Sequence, residues 1–181
     1  SITAQFKIKN NNASVFGVKE NVYLLAWTTT PWTLPSNTAL AVNNNVDYVV
    51  VKTRNQYTGE EVVVVTAEKL LKKVFSSPYA AVEDLKDKEK QISYEVVKKV
   101  KGKVLVGLFY HQLMPLAQPA EFPEKAFRVI HGDFVSVEEG TGIVHIAPTF
   151  GADDAKVAID AGVPPMPVSY THLTLPTIYS V

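Results

Sequence analysis

Hydroxyl side chains cluster in one short stretch of the chain, directly after an apolar run. Residues 26–37 read AWTTTPWTLPSN and contain four threonines, two tryptophans and two prolines. A hydroxyl both donates and accepts hydrogen bonds, so a row of threonines can hold a water molecule or a carbonyl group. Because proline cannot donate to a sheet ladder, we expect strand pairing to stop near Thr30 and to leave Thr28, Thr29 and Thr30 at the mouth of a sheet.

A second polar group follows about a hundred residues later, in EEGTGIVHIAP at 138–148. Gly140 and Gly142 permit a tight approach of the backbone, and the alternation after them places His145 on the face opposite to Val144 and Ile146. A lone histidine in a strand is more often a hydrogen-bonded structural residue than a catalyst. Single threonines and tryptophans are likewise common in ordinary strands and cores.

Two adjacent acids follow in TFGADD at 149–154, at the predicted start of a helix. Acidic residues in the first turn of a helix complement its dipole, and this structural role accounts for at least one of Asp153 and Asp154. The other acid is left available to bind a ligand.

The composition is that of a globular domain and excludes several kinds of chemistry. The 181 residues are 46% hydrophobic and 20% charged, with zero net charge and no cysteine. The charge balance provides no overall attraction to nucleic acid, and the absence of cysteine removes disulfides and thiolate nucleophiles. No phosphate-binding loop, dinucleotide fingerprint, serine elbow or zinc spacing is present. We therefore predict no cofactor and no metal in this chain.

Strand signals dominate the pattern. VYLLAWT, DYVVVKT, EVVVVTA, ISYEVVKKV and FRVIHGDFVSV are rich in β-branched and aromatic residues, and helical patterning is confined to AEKLLKKVF, a stretch around FYHQLM, and GADDAKVAIDAG. We expect a mainly β fold, a closed or nearly closed β-barrel with a few peripheral helices. One domain is predicted at 1–167, with a non-native tail at 168–181 that matches a sequencing-library adapter. No apolar run reaches the roughly 20 residues that cross a membrane.

The two polar stretches together resemble a known family. The patterns W-T-T-T-P-W-T-L-P-x-N and G-T-G-x-V-H-x-A-P-x-x-G-x-D-D, with GKVLVGLFYHQLMP at 102–115, are similar to the editing domain inserted into bacterial-type isoleucyl-tRNA synthetase. The valyl and leucyl enzymes place T-T-R-P-[ED]-T at 28–33. Thr30 and Trp32 therefore favour the isoleucyl branch.

The resemblance implies hydrolytic removal of valine wrongly esterified to isoleucine tRNA. Asp154 resembles the aspartate that binds the α-ammonium group of the misattached amino acid, which makes it both a binding and a catalytic residue. His145 resembles its partner beside the amino-acid pocket, where it and Trp32 are expected to exclude the extra methyl group of isoleucine.

The threonine row is the other half of the implied site. Thr28, Thr29 and Thr30 resemble the family's catalytic threonines, which contact the ester and the terminal adenosine and hold the attacking water. Thr33 and Asn37 fall in the same motif and are predicted to bind substrate. No covalent intermediate is expected, and the group that deprotonates water is left open between the tRNA ribose hydroxyl and a side chain.

The family also implies partners. They are the 3′ end of isoleucine tRNA and the rest of the synthetase in cis. ATP and magnesium are expected in the synthetic domain of the parent and not in this one. The parent is expected to be a cytoplasmic monomer without membrane contact.

Two alternatives remain open. One is threonine-directed editing of the valyl type, and the other is a catalytically silent module that only positions tRNA.

Overall fold

A computed structural model describes residues 1–9, 15–84 and 90–167 of the chain, and the predicted tail at 168–181 lies outside the described residues. Strands make up most of the regular structure, as the sequence predicts. The strands are β1 (Ile2–Lys7), β2 (Val22–Thr28), β3 (Ala39–Val42), β4 (Asp47–Arg54), β5 (Glu61–Ala67), β6 (Tyr79–Ala81), β7 (Ile92–Lys101), β8 (Arg128–His131) and β9 (Val144–Ile146), and the helices are α1 (Leu71–Val74), α2 (Gly102–Leu105) and α3 (Ala152–Ala161).

Six of these strands form one mixed sheet, in the order β1-β2-β5-β4-β7-β6. The valine runs of β4 and β5 pair antiparallel at its centre, where β-branched side chains pack well on both faces. β2 pairs antiparallel with β1 and parallel with β5. This arrangement ends β2, and the threonine row that follows it, beside the middle of the sheet.

The second sheet has three strands, in the order β8-β3-β9. Its central strand β3 is buried at every position. β3 pairs parallel with β8 and antiparallel with β9, which places Leu40 opposite His145. Only the short 3-10 turn Pro31–Ser36 and four further residues separate β2 of the large sheet from β3 of the small one, so the threonine stretch is the crossing between the sheets.

The expectation of a closed or nearly closed barrel was wrong. Within the described residues, the large sheet runs from edge strand β1 to edge strand β6, the small sheet from β8 to β9, and neither closes on itself. Two isolated antiparallel bridges, Ile8 with Tyr110 and Phe109 with Arg128, link the sheets without merging them. Propensity identified the longer strands, but the partners of each strand depend on contacts that are distant in sequence.

The core lies between the two sheets. Phe6 and Leu24 of the large sheet pack in one cluster with Leu40 and Val129 of the small sheet. On the opposite face of the small sheet, a second cluster joins Ala39 and Ala41 to helix α3. Because β3 is apolar on both faces, it is covered by the large sheet on one side and by α3 on the other.

The helix predictions were confirmed at two places and wrong at one. α3 begins after Gly151 and ends at Gly162, whose φ of 67° is the left-handed conformation that favours glycine. AEKLLKKVF forms a 3-10 turn, Glu68–Leu70, followed by α1. The stretch around FYHQLM is not helical, because Phe109 and Tyr110 make the bridges between the sheets. None of the helices in the described part of the chain is long and apolar enough to cross a membrane.

A glycine where the sheets meet offers a test of this packing. A Cβ on Gly142 would lie 2.4 Å from Cβ of Ala67 at the end of β5, while Gly59, with nearly the same φ of 72° against 73°, has nothing within 4 Å of such an atom. We expect Gly59→Ala to lower the free energy of unfolding by about 1–2 kcal/mol through backbone strain. Gly142→Ala should cost about 1–3 kcal/mol more through overpacking. Urea unfolding of both variants measures the difference, and equal losses would contradict the proposed contact.

Candidate functional site

The threonine row lies where β2 ends, as the prolines predict. β2 stops at Thr28, which is buried, and Thr29 and Thr30 are exposed. The backbone N–H of Thr30 donates to Oγ1 of Thr28 over 3.0 Å, and the two hydroxyl oxygens are 3.3 Å apart. The 3-10 turn that begins at Pro31 then carries Trp32 and Thr33 back over the strand end. The row is therefore a tight turn with its hydroxyls close together, and we call Thr28, Thr29, Thr30 and Thr33 the threonine corner.

His145 meets this corner from β9 in the other sheet. Its side chain is only 7% exposed. Its Nε2 lies 2.8 Å from Oγ1 of Thr33, and the same threonine hydroxyl donates to the carbonyl oxygen of Thr30 over 2.8 Å. One hydrogen bond thus joins residues 112 positions apart in the sequence. It connects the two motifs that the sequence separates.

Asn37 lies behind the histidine and does not face the cavity. It is 3% exposed, and its Nδ2 is 3.3 Å from Nδ1 of His145. Its Oδ1 accepts a hydrogen bond of 2.6 Å from the hydroxyl of Tyr110, which is fully buried. Burial raises the pKa of Tyr110 well above its usual value, so the phenol is a neutral donor. The position of Asn37 supports a contact with His145 and offers no direct contact with a ligand in the cavity.

Tyr110 was missed by the sequence analysis. It lies in GKVLVGLFYHQLMP, which was recognised as part of the family resemblance and was expected to be partly helical. A tyrosine in an apolar stretch is usually a core residue, and its ring does pack edge-on against Phe6. Only the three-dimensional structure shows that its hydroxyl reaches the threonine motif.

Asp154 enters the site from the first turn of α3. It is half-buried, and its Oδ2 accepts a hydrogen bond of 2.9 Å from the backbone N–H of Ala147, just after β9. This bond turns the carboxylate away from its own helix and towards the strand end. Asp153 is exposed. A carboxylate has about four acceptor positions, so the bond to Ala147 leaves Asp154 able to accept from a ligand.

These side chains surround one open cavity of about 620 Å³. Its size is within the range of sites for small ligands. Of the predicted site residues, Asn37 is absent from the lining, and the others are present: Thr28, Thr29, Thr30, Trp32, Thr33, His145 and Asp154. Trp32 is 62% exposed and stands at the rim, where Phe150, also exposed, lies as well.

The cavity has an acidic lining. Among the described residues, Asp153 and Asp154 line it, and no lysine or arginine does. Burial lowers the pKa of His145, and the nearby Asp154 carboxylate raises it again in part. The histidine is therefore neutral near pH 7, and the lining has a net negative charge. Such a cavity attracts a small cation, with hydroxyls beside it that can orient a polar group.

The described residues contain no candidate metal site. Within 1–9, 15–84 and 90–167, no group of three or more histidine, cysteine, aspartate or glutamate side chains is placed to hold a metal ion. The chemistry that the lining itself offers is hydrogen bonding by hydroxyls and charge stabilisation by a carboxylate.

Curated isoleucine–tRNA ligases are similar to the chain over most of its length. The ligase of Cytophaga hutchinsonii is 57% identical over 166 residues, covering 91% of this chain, and that of Bacteroides thetaiotaomicron is 52% identical over 173 residues, covering 89%. The ligase of Clostridium tetani is 44% identical over 160 residues, covering 88%. The chain spans only 14%, 15% and 12% of the length of these relatives. No protein-family model matches the chain.

Solved structures share the fold at low sequence identity. The editing domain of P. falciparum cytosolic leucyl-tRNA synthetase superposes with a TM-score of 0.65 at 14% identity, over 87% of this chain and 64% of that one. The corresponding domain of P. knowlesi gives a TM-score of 0.62 at 18% identity, over 87% and 61%. At these identities the comparison concerns the fold alone.

The titration of His145 tests the electrostatics of the cavity. We expect a midpoint below the ordinary histidine value of 6.5, because burial penalises the charged ring. Asp154→Asn should lower the midpoint further, because it removes the carboxylate that favours the imidazolium. Since the unfolded chain binds this proton more readily, His145 should reduce stability as the pH falls below 6.5. NMR titration of the ring measures the midpoint, and a value at or above 6.5 would contradict this description.

Proposed function

We propose, on the premise that the chain is homologous to the editing segment of isoleucine–tRNA ligases, that it hydrolyses valine wrongly esterified to isoleucine tRNA. The premise rests on the high identity to these ligases and on the shared fold of leucyl-tRNA synthetase editing domains. Together these two comparisons confirm the family resemblance of the motifs. The reaction adds water across the ester and yields free valine and tRNA with a free 3′-terminal hydroxyl group.

One observation carries the proposal. Two motifs more than a hundred residues apart meet across two sheets through the bond between Thr33 and His145, and together they line one acidic, hydroxyl-rich cavity. A purely structural role for the threonines and Asp154 does not require their convergence on open space. The convergence matches the needs of a site that holds a cationic ester.

Asp154 is suited to bind the α-ammonium group of the esterified amino acid. Its carboxylate is oriented by the N–H of Ala147, and the lining contains no positive side chain that would compete for it among the described residues. Charge-assisted hydrogen bonds are shorter and stronger than neutral ones. This contact would fix the substrate at the carbon next to the ester carbonyl.

The threonine corner is suited to hold the ester and its water. The hydroxyls of Thr28 and Thr30 lie 3.3 Å apart at the mouth of the strand. An ester requires an oriented water molecule and stabilisation of the developing oxyanion, and both are supplied by positioned hydrogen-bond donors. Catalysis by positioning needs no covalent intermediate.

Size selection is assigned to His145 and Trp32. His145 forms an inner wall, since it is buried and bonded on both ring nitrogens, while Trp32 stands at the rim. In an apolar pocket, one methylene group is worth only about 1–3 kcal/mol, a limit for which isoleucine–tRNA ligase is itself the standard example. A second site that excludes the larger side chain therefore adds to the selection made during charging.

The parent protein provides the remaining parts of this function. Because the chain spans about one seventh of its relatives, the synthetic reaction, with ATP and magnesium, is assigned to the parent outside this segment. The partners are the rest of the ligase in cis and the 3′ end of isoleucine tRNA, and the place of action is the cytoplasm, where tRNA is charged. No cofactor is assigned to this segment.

Deacylation distinguishes the proposal from its alternatives. We expect the chain to hydrolyse valine on isoleucine tRNA at least tenfold faster than isoleucine on the same tRNA, as exclusion of one methylene predicts. Loss of the radiolabelled ester over time measures both rates, with spontaneous hydrolysis as the control. Preference for a threonine ester on valine tRNA would favour the valyl type. Binding of tRNA without loss of either ester would leave only a positioning module.

A matched pair of acids tests the role of Asp154. We expect Asp154→Asn to lower kcat/KM for the valine ester by about 10–100-fold, the value of a hydrogen bond to a charged group. Asp153→Asn removes the same charge from the same helix turn but should change kcat/KM less than about fivefold, since exposed charges contribute about 1 kcal/mol or less. Equal effects of the two substitutions would assign the loss to the helix dipole and refute a specific ammonium contact.

A further inference from the structure

A continuous line of hydrogen bonds runs from the core to the threonine corner. It starts at the hydroxyl of Tyr110, passes through Asn37 and His145 to Thr33, and ends at the carbonyl oxygen of Thr30. Its members come from three separate parts of the sequence. The direction of donation along this line can be deduced from the number of hydrogens that each group has.

The amide of Asn37 has one possible orientation in this environment. Its Nδ2 lies 2.8 Å from the carbonyl oxygen of Ala39 and 3.5 Å from that of Ile146. Carbonyl groups only accept hydrogen bonds, so this side of the amide must be the NH₂ group. Oδ1 then accepts from the hydroxyl of Tyr110, and Nδ2 donates to Nδ1 of His145. His145 therefore has no hydrogen on Nδ1.

The other end of the line leads to the same tautomer. The hydroxyl of Thr33 has one hydrogen, and it donates that hydrogen to the carbonyl oxygen of Thr30 over 2.8 Å. Its bond of 2.8 Å to His145 must then be donated by Nε2–H. Two independent sets of acceptors, one on each side of the ring, thus agree on a neutral histidine with its hydrogen on Nε2.

We propose that Tyr110 and Asn37 are positioning residues that hold His145 in the Nε2–H tautomer, so that His145 directs the hydroxyl of Thr33 onto the carbonyl oxygen of Thr30 and fixes the threonine corner for the hydrolysis proposed above. The importance of this arrangement for catalysis rests on that proposed function, but the tautomer does not. Neither residue lines the cavity. Both act through His145.

The hydroxyl of Tyr110 has a role separate from its ring. The ring packs edge-on against Phe6 and Phe127 in the core. Phenylalanine would keep this packing and remove only the donor to Asn37. Oδ1 of Asn37 would then be buried without a partner, and only the backbone carbonyl oxygens beside Nδ2 would still oppose rotation of the amide. In the molecules where the amide does rotate, Oδ1 faces His145 and draws the hydrogen to Nδ1.

The arrangement also restricts what His145 and Thr33 can do. Nδ1 of His145 is occupied by Asn37, and Nε2 already carries a hydrogen, so the ring has no free lone pair for the hydrogen of a water molecule. Thr33 uses its only hydrogen on a backbone carbonyl. His145 is therefore a fixed donor and a wall, and the hydroxyls of Thr28 and Thr30 are left to orient the ester and its water.

The experiment compares two buried tyrosines. The ring nitrogens of His145 in the ¹⁵N-labelled chain report its tautomer by NMR, with His145→Gln used to identify the signals. Tyr110→Phe is the test. Tyr48→Phe is the matched control, because Tyr48 is also fully buried and donates a bond of 2.6 Å, but to the carbonyl oxygen of Gly142. Valine-ester hydrolysis is measured on the same samples.

We expect the wild-type chain and Tyr48→Phe to show only the Nε2–H tautomer, and Tyr110→Phe to show an added Nδ1–H population. Tyr110→Phe should also lower kcat/KM by about tenfold, against less than about threefold for Tyr48→Phe, because small displacements of positioned groups are costly.

Three results would overturn the inference. The first is a wild-type His145 that carries its hydrogen on Nδ1. This result does not depend on whether either variant folds. The second is an unchanged tautomer in Tyr110→Phe, which would assign the orientation of Asn37 to the backbone carbonyls alone. The third is an equal shift in both variants. If the tautomers behave as expected while no sample hydrolyses the ester, the positioning of His145 stands and the proposed function fails.

Discussion

The site depends on the attachment of one loop to the end of β5. The carbonyl oxygen of Thr141 accepts from the N–H of Ala67 over 2.8 Å and from the hydroxyl of Thr66 over 3.0 Å. These bonds are buried, where an unpaired carbonyl is costly. They hold the start of the β9 segment against the large sheet. Without them, the two halves of the cavity would have no fixed separation.

Two open sheets suit a cavity of this kind, because each sheet supplies one wall of the cavity. The large sheet ends β2 at the threonine corner, and the small sheet presents His145 on β9 and supports α3 with Asp154. The chain crosses between them through the 3-10 turn Pro31–Ser36, so the turn itself belongs to the site. The cavity is therefore a gap between the two sheets, and the core that they share packs behind it.

Sequence patterns were sufficient for the longer strands and for most of the polar residues that line the cavity, but not for the way the parts are joined. The prolines after Thr30 and the glycines before His145 carry local conformational information, so the end of β2 and the start of β9 could be predicted. Closure of a sheet depends on which edges meet, and no local pattern encodes this. Asn37 and Tyr110 show the same limit, since both look like ordinary motif or core residues until the hydroxyl and the amide are placed 2.6 Å apart.

The acidic lining has a consequence for what leaves the cavity. In the reaction proposed above, the esterified amino acid carries one positive charge on its ammonium group, so the negative charges of Asp153 and Asp154 favour its entry. Hydrolysis converts it to a zwitterion, because the liberated acid ionises and adds a negative charge near the same carboxylates. Attraction to the cavity is thereby reduced at the moment when the ester bond breaks. A lining of this charge distinguishes product from substrate without any movement of the protein and favours turnover over product inhibition.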